Sequence, residues 1–374
     1  MSVRRAYLDH ASTSPLRAGA AREMSAIIDS LAAGNLGDPS RIHHEGLAAR
    51  DLLEHFRERI AQCLGARPRE VVLCSGGTEA VTTAALWLNS RPGAIALGAI
   101  EHRVVRECAA EGAHVLGVDR FGVVNASDLE DLAPDEIAGV HLQWVNHEVG
   151  TIQPIDEVAQ WCHQHRVILH VDAAQALATQ PVSFGTQDVD LMSISGHKVG
   201  GPPGAGVLLV RRGVRIDPIL RGGDQERARR AGLENLVAAG GLAGALEELQ
   251  HQRASEVSSY EQMHERVRSW VHERDGVELI GSNTQFSPHI VCLGLDGIEP
   301  QPVLIGLDRL GVSVNSGSSC SSEAFEPSPV LDAIGVNTAR SLRLSFGWST
   351  THDDVERCLA ALDRVLDELA ALRG

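Results

Sequence analysis

The chain has 374 residues, a formal net charge of −16 and 43% apolar residues, so it is long enough to form two hydrophobic cores. Its acidity argues against stable binding to nucleic acid, which requires a basic surface. No apolar run is long enough to span a bilayer, and no charged and apolar leader opens the sequence, so we expect a cytoplasmic protein with no membrane partner.

Short apolar runs alternate with longer amphipathic runs between residues 70 and 210. Most of the short runs are continuously apolar, which is expected for strands that are covered on both faces. This alternation predicts an α/β fold whose large domain has a mainly parallel seven-stranded sheet, with ligands bound at the strand ends. The predicted strands cover 71–75, 94–97, 114–118, 139–145, 167–171, 190–194 and 206–210, and helices are predicted over 79–89, 102–111 and 155–165.

A long helix predicted over 234–274 connects this region to a smaller α+β domain. We therefore divide the chain into a large domain (1–250) and a small domain (251–374), and we expect residues 1–20 to pack with the small domain. The small domain's predicted strands cover 277–280, 289–293, 312–315 and 341–345, and its predicted helices cover 301–310 and 352–372.

Lys198 is the only lysine of the chain, and it follows an apolar run in the sequence Ser195-Gly196-His197-Lys198. An arginine does not lose its proton near neutral pH and attack a carbonyl, whereas a lysine amine can. The residue therefore suggests a Schiff base. The alternative is compositional drift toward arginine that left one lysine by accident.

Two further motifs precede this lysine. Residues 75–79 (SGGTE) follow a predicted strand and open a helix, where backbone N–H groups can hold a phosphate, although the same turn can be a simple tight connection.

Asp172 ends another predicted strand, and three roles fit such a position: structural, metal-binding and general base. No ligand cluster lies nearby, which disfavours a metal. A buried carboxylate needs a cationic partner, and a protonated pyridine nitrogen is one.

The phosphate-binding turn, Asp172 and Lys198 match the phosphate, ring nitrogen and aldehyde of pyridoxal 5′-phosphate, and further motifs accompany them. These are YLDHASTSP (7–15), GDPSRIH (37–43), EH (101–102), NHEVGTIQP (146–154), SISGHK (193–198), QER (225–227), SGSSCSS (316–322) and SLRLSFG (341–347). In this set and order the chain resembles the NifS/IscS-like cysteine desulfurases, fold-type I pyridoxal-phosphate transferases of the class-V aminotransferase family.

The resemblance implies roles for individual residues. Lys198 would hold the cofactor covalently and shuttle protons, and Asp172 would pair with the ring nitrogen. His102 would stack on the ring and act as an acid or base, while Arg343 would bind the substrate carboxylate. The remaining implied contacts are those of Gln175 to the phenolic oxygen, of His147 near that oxygen and the substrate carboxylate, and of Gly77, Thr78, Ser195 and His197 to the phosphate.

Cys320 differs from the other cysteines. The chain has seven cysteines without CxxC or zinc-type spacing, and those at 63, 74, 162, 292 and 358 are predicted to be reduced core residues. Cys320 lies in a serine- and glycine-rich stretch, so we expect it to be exposed and reactive rather than buried. The resemblance makes it the acceptor of sulfur from L-cysteine, with L-alanine as the other product.

The resemblance also implies a homodimer and a sulfur-acceptor protein, either an iron–sulfur scaffold or a thiolation carrier. The stretch from residue 320 to 328 has the length of the long-loop class, which implies direct delivery of sulfur to that partner. No intrinsic metal site is predicted, apart from a transient iron–sulfur contact considered at Cys320.

Several positions depart from the family pattern. His147 stands where the family usually has asparagine, which would alter substrate affinity or pH dependence. Leu233 replaces a threonine that reaches the neighbouring subunit's phosphate, and Asp224 replaces a glycine. Asp38 and Arg41 differ from the common Asn and Ser.

Three alternatives remain at this stage. A selenocysteine lyase or a pyridoxal-phosphate epimerase would use the same fold without requiring Cys320. A regulatory or scaffold protein would retain the fold without turnover, and it is favoured only by the departures at His147 and Leu233.

Overall fold

A computed structural model describes residues 4–316, 328–336 and 340–372. In chain order the strands are β1 (Ala6–Tyr7), β2 (Val71–Cys74), β3 (Ala94–Gly98), β4 (His114–Leu116), β5 (Ile137–Gln143), β6 (Ile168–Asp172), β7 (Leu191–Ser195), β8 (Gly206–Val210), β9 (Val277–Ile280), β10 (Ile290–Leu295), β11 (Val312–Ser313), β12 (Asn315–Ser316) and β13 (Ser341–Ser345). The helices are α1 (Ala18–Ala32), α2 (His44–Cys63), α3 (Gly77–Asn89), α4 (Arg103–Cys108), α5 (Ile155–His165), α6 (Gln225–Ala228), α7 (Leu236–His272), α8 (Pro300–Arg309), α9 (Pro329–Ala333) and α10 (His352–Ala371).

A seven-stranded sheet in the order β2-β8-β7-β6-β5-β3-β4 confirms the predicted α/β fold. The strands from β7 to β4 run parallel, and β8 is antiparallel to both of its neighbours. β5 is buried along its whole length, because α3 covers one face of the sheet while α2, α5 and the first half of α7 cover the other. The carboxyl ends of β5, β6 and β7 therefore meet at one edge.

The 37-residue helix α7 belongs to two hydrophobic cores, in agreement with the connecting helix predicted there. Leu246, in its first half, lies in the core of the large sheet, whereas Val267, in its second half, lies in a separate core. Helix α1 packs closely against the first half, since a Cβ added to Gly244 would lie 2.6 Å from the carbonyl oxygen of Gly19.

The second core contains the antiparallel sheet β12-β13-β10-β9 and the helices α8 and α10. The N-terminal segment joins this core, because β1 pairs with β11 in parallel and Leu8 is fully buried there. The single strand predicted over 312–315 is wrong. The chain leaves one sheet at Ser313 and enters the other at Asn315, so two short strands replace it. The boundary at residue 250 stays a prediction.

Helices α1 and α2 lie before the first strand of the large sheet, in a region for which the sequence predicted no element. Both pack on α7, and Phe56 of α2 enters the core beneath the large sheet. Across the described parts of the chain, no helix has both the length and the hydropathy that a bilayer crossing requires.

Candidate active site

A cavity of about 570 Å³ lies at the carboxyl edge of the large sheet, between the ends of β5, β6 and β7 and the first turn of α3. It brings together every predicted site residue that the structure describes. These lining residues are Gly77, Thr78, His102, His147, Asp172, Gln175, Ser195, His197, Lys198 and Arg343. The predicted catalytic residue Cys320 lies outside the described residues.

The first turn of α3 forms one wall of the cavity. The helix begins at Gly77 directly after β2, and no side chain caps its N-terminus. Two glycines allow the close approach of the surrounding backbone. A Cβ on Gly77 would lie 3.0 Å from that of Ser195, and one on Gly206 would lie 2.5 Å from the backbone of Gly76. The N–H groups of a 13-residue helix therefore face the cavity and are suited to bind a phosphate.

Glu79, in the same turn, contacts the preceding backbone and an arginine. Its carboxylate accepts a hydrogen bond from the N–H of Ser75 at 2.8 Å and pairs with Arg230 at 3.0 Å. These contacts lower the pKa of Glu79 despite its partial burial. The charge of Glu79 is thus paired to an arginine and does not cancel the positive N-terminus of α3.

Asp172 is the last residue of β6 and is 9% exposed. One of its carboxylate oxygens accepts a hydrogen bond from the N–H of Ala174 at 2.9 Å. No group of three metal-ligating side chains occurs among the described residues. A cationic ring nitrogen in the cavity would supply the charge that a buried carboxylate requires.

Lys198 enters the cavity from the short turn that follows β7. Its Nζ donates to the carbonyl oxygen of Ala11 at 2.5 Å and to that of Ser12 at 2.9 Å. The N-terminal segment therefore holds the amine at the cavity wall. Sequence reasoning missed this contact, because backbone carbonyls carry no residue signature, although residues 7–15 were among the motifs of the resemblance.

Three histidines line the cavity together with Lys198. His102 caps α4, with its Nδ1 accepting from the N–H of Val104, and its ring lies edge-on to that of His147 with 5.0 Å between centroids. Burial and the neighbouring Lys198 lower the pKa of His197 to about 4. His197 is therefore neutral near pH 7, so toward a phosphate it would be a hydrogen-bond donor and not a cation.

Arg343 reaches the cavity from β13, in the second core, and is 1% exposed. Its guanidinium contacts the Asp9 carboxylate at 3.0 Å, the Ser12 hydroxyl at 2.8 Å and the carbonyl oxygen of His147 at 2.8 Å. Asp9 is thus a functional candidate that the sequence analysis did not identify. A substrate carboxylate that binds Arg343 would replace or share the contact with Asp9.

Glu101 is a second missed residue near the cavity. It is 1% exposed, and one of its oxygens accepts from the N–H of Gln143 at 2.8 Å. Burial raises the pKa of its carboxyl group to about 8, and the negative charge of Asp172 adds to this shift. Glu101 is therefore largely protonated near neutral pH.

Five of the other six cysteines follow the prediction, and Cys108 is only partly buried. Those at 63, 74, 162, 292 and 358 are buried and unbridged. Burial raises the pKa of each of these thiols above its ordinary value. They are therefore poor nucleophiles, since the thiolate is the reactive form.

The groups in the cavity fit pyridoxal 5′-phosphate. The N-terminus of α3 suits its phosphate, the carboxylate of Asp172 suits its ring nitrogen, and the amine of Lys198 suits its aldehyde. Gln175 and His102 line the same cavity. The phosphate, ring nitrogen and aldehyde of one cofactor thus have suitable partners in a single cavity.

The fold and this site define a fold-type I pyridoxal-phosphate enzyme, and comparison with known proteins narrows the class. A family model described as aminotransferase class-V matches residues 6–358. The cysteine desulfurase IscS of Dictyoglomus turgidum is 33% identical over 383 residues, which cover 99% of this chain and 96% of the relative.

Solved structures agree with this assignment. A NifS-like protein from Rickettsia africae ESF-5 superposes with a TM-score of 0.88 at 26% identity and covers 97% of this chain and 100% of that one. SspA in complex with cysteine superposes with a TM-score of 0.77 at 26% identity, covering 91% and 98%. The chain belongs to the class-V aminotransferase family and, within it, to the pyridoxal-phosphate-dependent NifS/IscS-like cysteine desulfurases.

Proposed function

We propose that this cysteine desulfurase converts L-cysteine to L-alanine and carries the sulfur as a persulfide on Cys320. The observation that supports this most strongly is the single cavity lined by Lys198, Asp172, the N-terminus of α3 and Arg343. It combines the groups that hold the cofactor with a guanidinium suited to the carboxylate of an amino acid.

Bound pyridoxal 5′-phosphate supplies an electron sink next to the substrate Cα. Asp172 keeps the ring nitrogen protonated by offering it a buried negative charge. Arg343 orients the substrate by exchanging its contact with Asp9 for the substrate carboxylate. His102 would stack on the ring, and the first turn of α3 would hold the phosphate.

Lys198 moves protons at the substrate. Lys198 would hold the cofactor covalently, and its Nζ would take the proton from the substrate Cα and return a proton there before alanine leaves. The carbonyl oxygens of Ala11 and Ser12 hold it in place between these steps.

Cys320 accepts the sulfur. Its thiolate attacks the substrate sulfur, so that an S–S bond forms and the substrate Cβ–S bond breaks. The electron pair of the broken bond stays on the substrate and takes up a proton at Cβ, which completes the methyl group of alanine. The sulfur remains on Cys320 as a persulfide for transfer to an acceptor.

Incubation with L-cysteine followed by mass spectrometry of the peptides tests this proposal. We expect one additional sulfur atom on the Cys320 peptide and an equivalent amount of alanine. Cys108→Ser is the matched control, because Cys108 is the least buried of the described cysteines, and it should leave the added sulfur unchanged. Alanine formation in Cys320→Ser at the wild-type rate would contradict the proposal and favour a selenocysteine-lyase type of chemistry.

We further propose a cytoplasmic homodimer that passes sulfur to an iron–sulfur scaffold or a thiolation carrier. The unbridged state of the six described cysteines fits a reducing compartment. Leu233 is 62% exposed and lines a smaller cavity of about 240 Å³ that shares Ser75 and Gly204 with the main one. An exposed leucine beside the cofactor cavity fits a subunit contact at that place. Light scattering of the purified chain should give twice the monomer mass of 40.0 kDa.

A further inference from the structure

A chain of buried polar groups extends from the cofactor cavity into the protein through Gln175. The amide nitrogen of Gln175 lies 2.8 Å from the carbonyl oxygen of Ala11, and its amide oxygen lies 3.5 Å from Nε2 of His289. Nδ1 of His289 is 2.8 Å from the hydroxyl of Ser287, which is 2.5 Å from the hydroxyl of Thr179. All four side chains from Gln175 to Thr179 are at most 9% exposed.

The protons along this chain can be assigned from its chemistry. The carbonyl of Ala11 only accepts, so the amide atom of Gln175 that contacts it is the NH₂ group, and the amide oxygen faces His289. Two acceptors cannot share a hydrogen bond, so His289 carries its proton on Nε2 and donates to Gln175. Nδ1 is then an acceptor, and the hydroxyl of Ser287 donates to it. The hydroxyl of Thr179 in turn donates to Ser287.

The surroundings of His289 keep it in the neutral form that this assignment requires. Burial, with smaller contributions from His10 and Arg343, lowers the pKa of His289 to about 3. An imidazolium would carry a proton on both nitrogens, so the hydroxyl of Ser287 could no longer donate a hydrogen bond to Nδ1.

We propose that His289 is a positioning residue that, as the Nε2–H tautomer, fixes the amide of Gln175 so that an N–H and not the carbonyl faces the cofactor. One N–H of Gln175 is held by Ala11 and its oxygen by His289, which leaves the second N–H for the cavity that Gln175 lines. This inference rests on the proposed contact between Gln175 and the phenolic oxygen of the cofactor.

The orientation has a consequence for the bound cofactor. A phenolic oxygen that receives an N–H donor holds its negative charge more easily and competes less for a nearby proton. If the amide were free to rotate, its carbonyl would face that oxygen part of the time and repel it. The pKa read from the visible absorbance of the bound cofactor would then rise.

The tautomer can be measured in the wild-type protein without bound cofactor. A long-range ¹H–¹⁵N spectrum of ¹⁵N-histidine-labelled protein distinguishes Nε2–H from Nδ1–H imidazoles, and His289→Gln identifies the signal by its loss. We expect a neutral Nε2–H imidazole for His289 at pH 7. An Nδ1–H tautomer, or an imidazolium, would overturn the proposal.

A pH titration of the cofactor's absorbance tests the consequence. His289→Leu removes the donor, and we expect the pKa of the absorbance change to rise by about one unit. His289→Gln places an amide N–H close to the Nε2 position and should restore the wild-type value. An unchanged pKa in His289→Leu, or equal shifts in both variants, would show that His289 has only a structural role.

Gln175→Glu separates failure of this inference from failure of the proposed function. A raised pKa in Gln175→Glu but a wild-type pKa in His289→Leu would refute the role of His289 and leave the contact of Gln175 intact. A wild-type pKa in Gln175→Glu would refute both the contact and the inference. Absence of cofactor absorbance in the wild-type protein would refute the proposed function itself.

Discussion

The two cations of the cavity are each held by the N-terminal segment over residues 9–12. Lys198 donates to the carbonyls of Ala11 and Ser12, while Arg343 contacts the carboxylate of Asp9 and the hydroxyl of Ser12. The segment thus supplies oxygen ligands at the places where the cofactor aldehyde and the substrate carboxylate would bind. Its own position is fixed by the pairing of β1 with β11.

Lys198→Arg separates the charge of Lys198 from its covalent role. Arginine can keep the hydrogen bonds to the carbonyls but cannot form a Schiff base, so we expect turnover to fall by about 10³-fold or more. The free energy of unfolding should change by less than about 0.5 kcal/mol, as for a replacement that retains its contacts. Alanine release and urea unfolding measure the two effects, and turnover near the wild-type rate would refute the role of Lys198.

Arg343→Lys tests the recognition of the substrate carboxylate. A lysine provides a point charge and loses the paired donors of the guanidinium, so we expect KM for L-cysteine to rise by about tenfold with a smaller change in kcat. The control is Arg340→Lys, because Arg340 is 42% exposed and contacts Asp296 only at 3.9 Å. Steady-state kinetics with equal KM values for both variants would be inconsistent with a carboxylate site at Arg343.

Among the secondary-structure elements, β2 has an unusual outer edge. Arg57 of α2 donates to the carbonyl of Val71 at 3.1 Å, and Glu226 of α6 accepts from the N–H of Leu73 at 2.9 Å. The two side chains also form a bidentate ion pair and are both at most 4% exposed. Together they supply the donor and acceptor that a neighbouring strand would provide.

The turn that carries Glu226 is strained to reach this position. Glu226, Arg227 and Ala228 all have positive φ angles between 48° and 60°, which cost free energy for residues with a Cβ. The ion pair with Arg57 offsets this cost. Burial alone would lower the pKa of Arg57, but the hydrogen bonds and charge of Glu226 raise it above its already high value.

Glu226→Gln should therefore destabilise the protein by about 3 kcal/mol, because it removes the buried partner of Arg57 and leaves only the ion pair with Glu54, whose side chain is 43% exposed. Glu368→Gln is the matched control. It breaks the exposed ion pair with Arg364 and should cost less than about 1 kcal/mol. Urea unfolding of the two variants measures the difference. Equal stabilities would mean that the edge of β2 does not depend on Glu226.

The seven strands of the large sheet could be predicted from the sequence, because most of them are continuous apolar runs bounded by turn residues. Helix α1 could not, since it begins after Arg17 without a capping side chain or an acidic first turn. The site residues were found through the motifs that hold the cofactor. Ala11 and His289, which contact these residues, were not predicted. Neither a backbone carbonyl nor a single buried histidine produces a recognisable pattern in one sequence.

At the scale of the whole molecule, buried histidines couple stability to pH. Burial lowers the pKa of His10 and of His141 to about 4, and that of His289 to about 3. His170, hydrogen-bonded to His141, is lowered well below its ordinary value. These groups stay neutral in the folded state, whereas in the unfolded chain they take up protons below their ordinary pKa of 6.5.

The contribution of these histidines to stability is therefore fully retained above pH 6.5 and falls as the pH decreases toward 4, since the unfolded state then binds more protons. Each such histidine contributes a loss of at most about 1.4 kcal/mol per pH unit. Replacing one of them, as in His289→Gln, should reduce the loss between pH 7 and pH 5 by about 2 kcal/mol. Urea unfolding at both pH values tests this. The same pH-dependent loss in wild type and variant would argue against a neutral buried His289.

We propose that the single lysine of the chain holds the cofactor with which the protein removes sulfur from cysteine. Reduction of the cofactor-saturated protein with borohydride, followed by peptide mass spectrometry, tests it most directly. We expect one modified peptide, which carries the reduced pyridoxyl phosphate on Lys198. A loss of the cofactor's absorbance without any modification of the Lys198 peptide would contradict it.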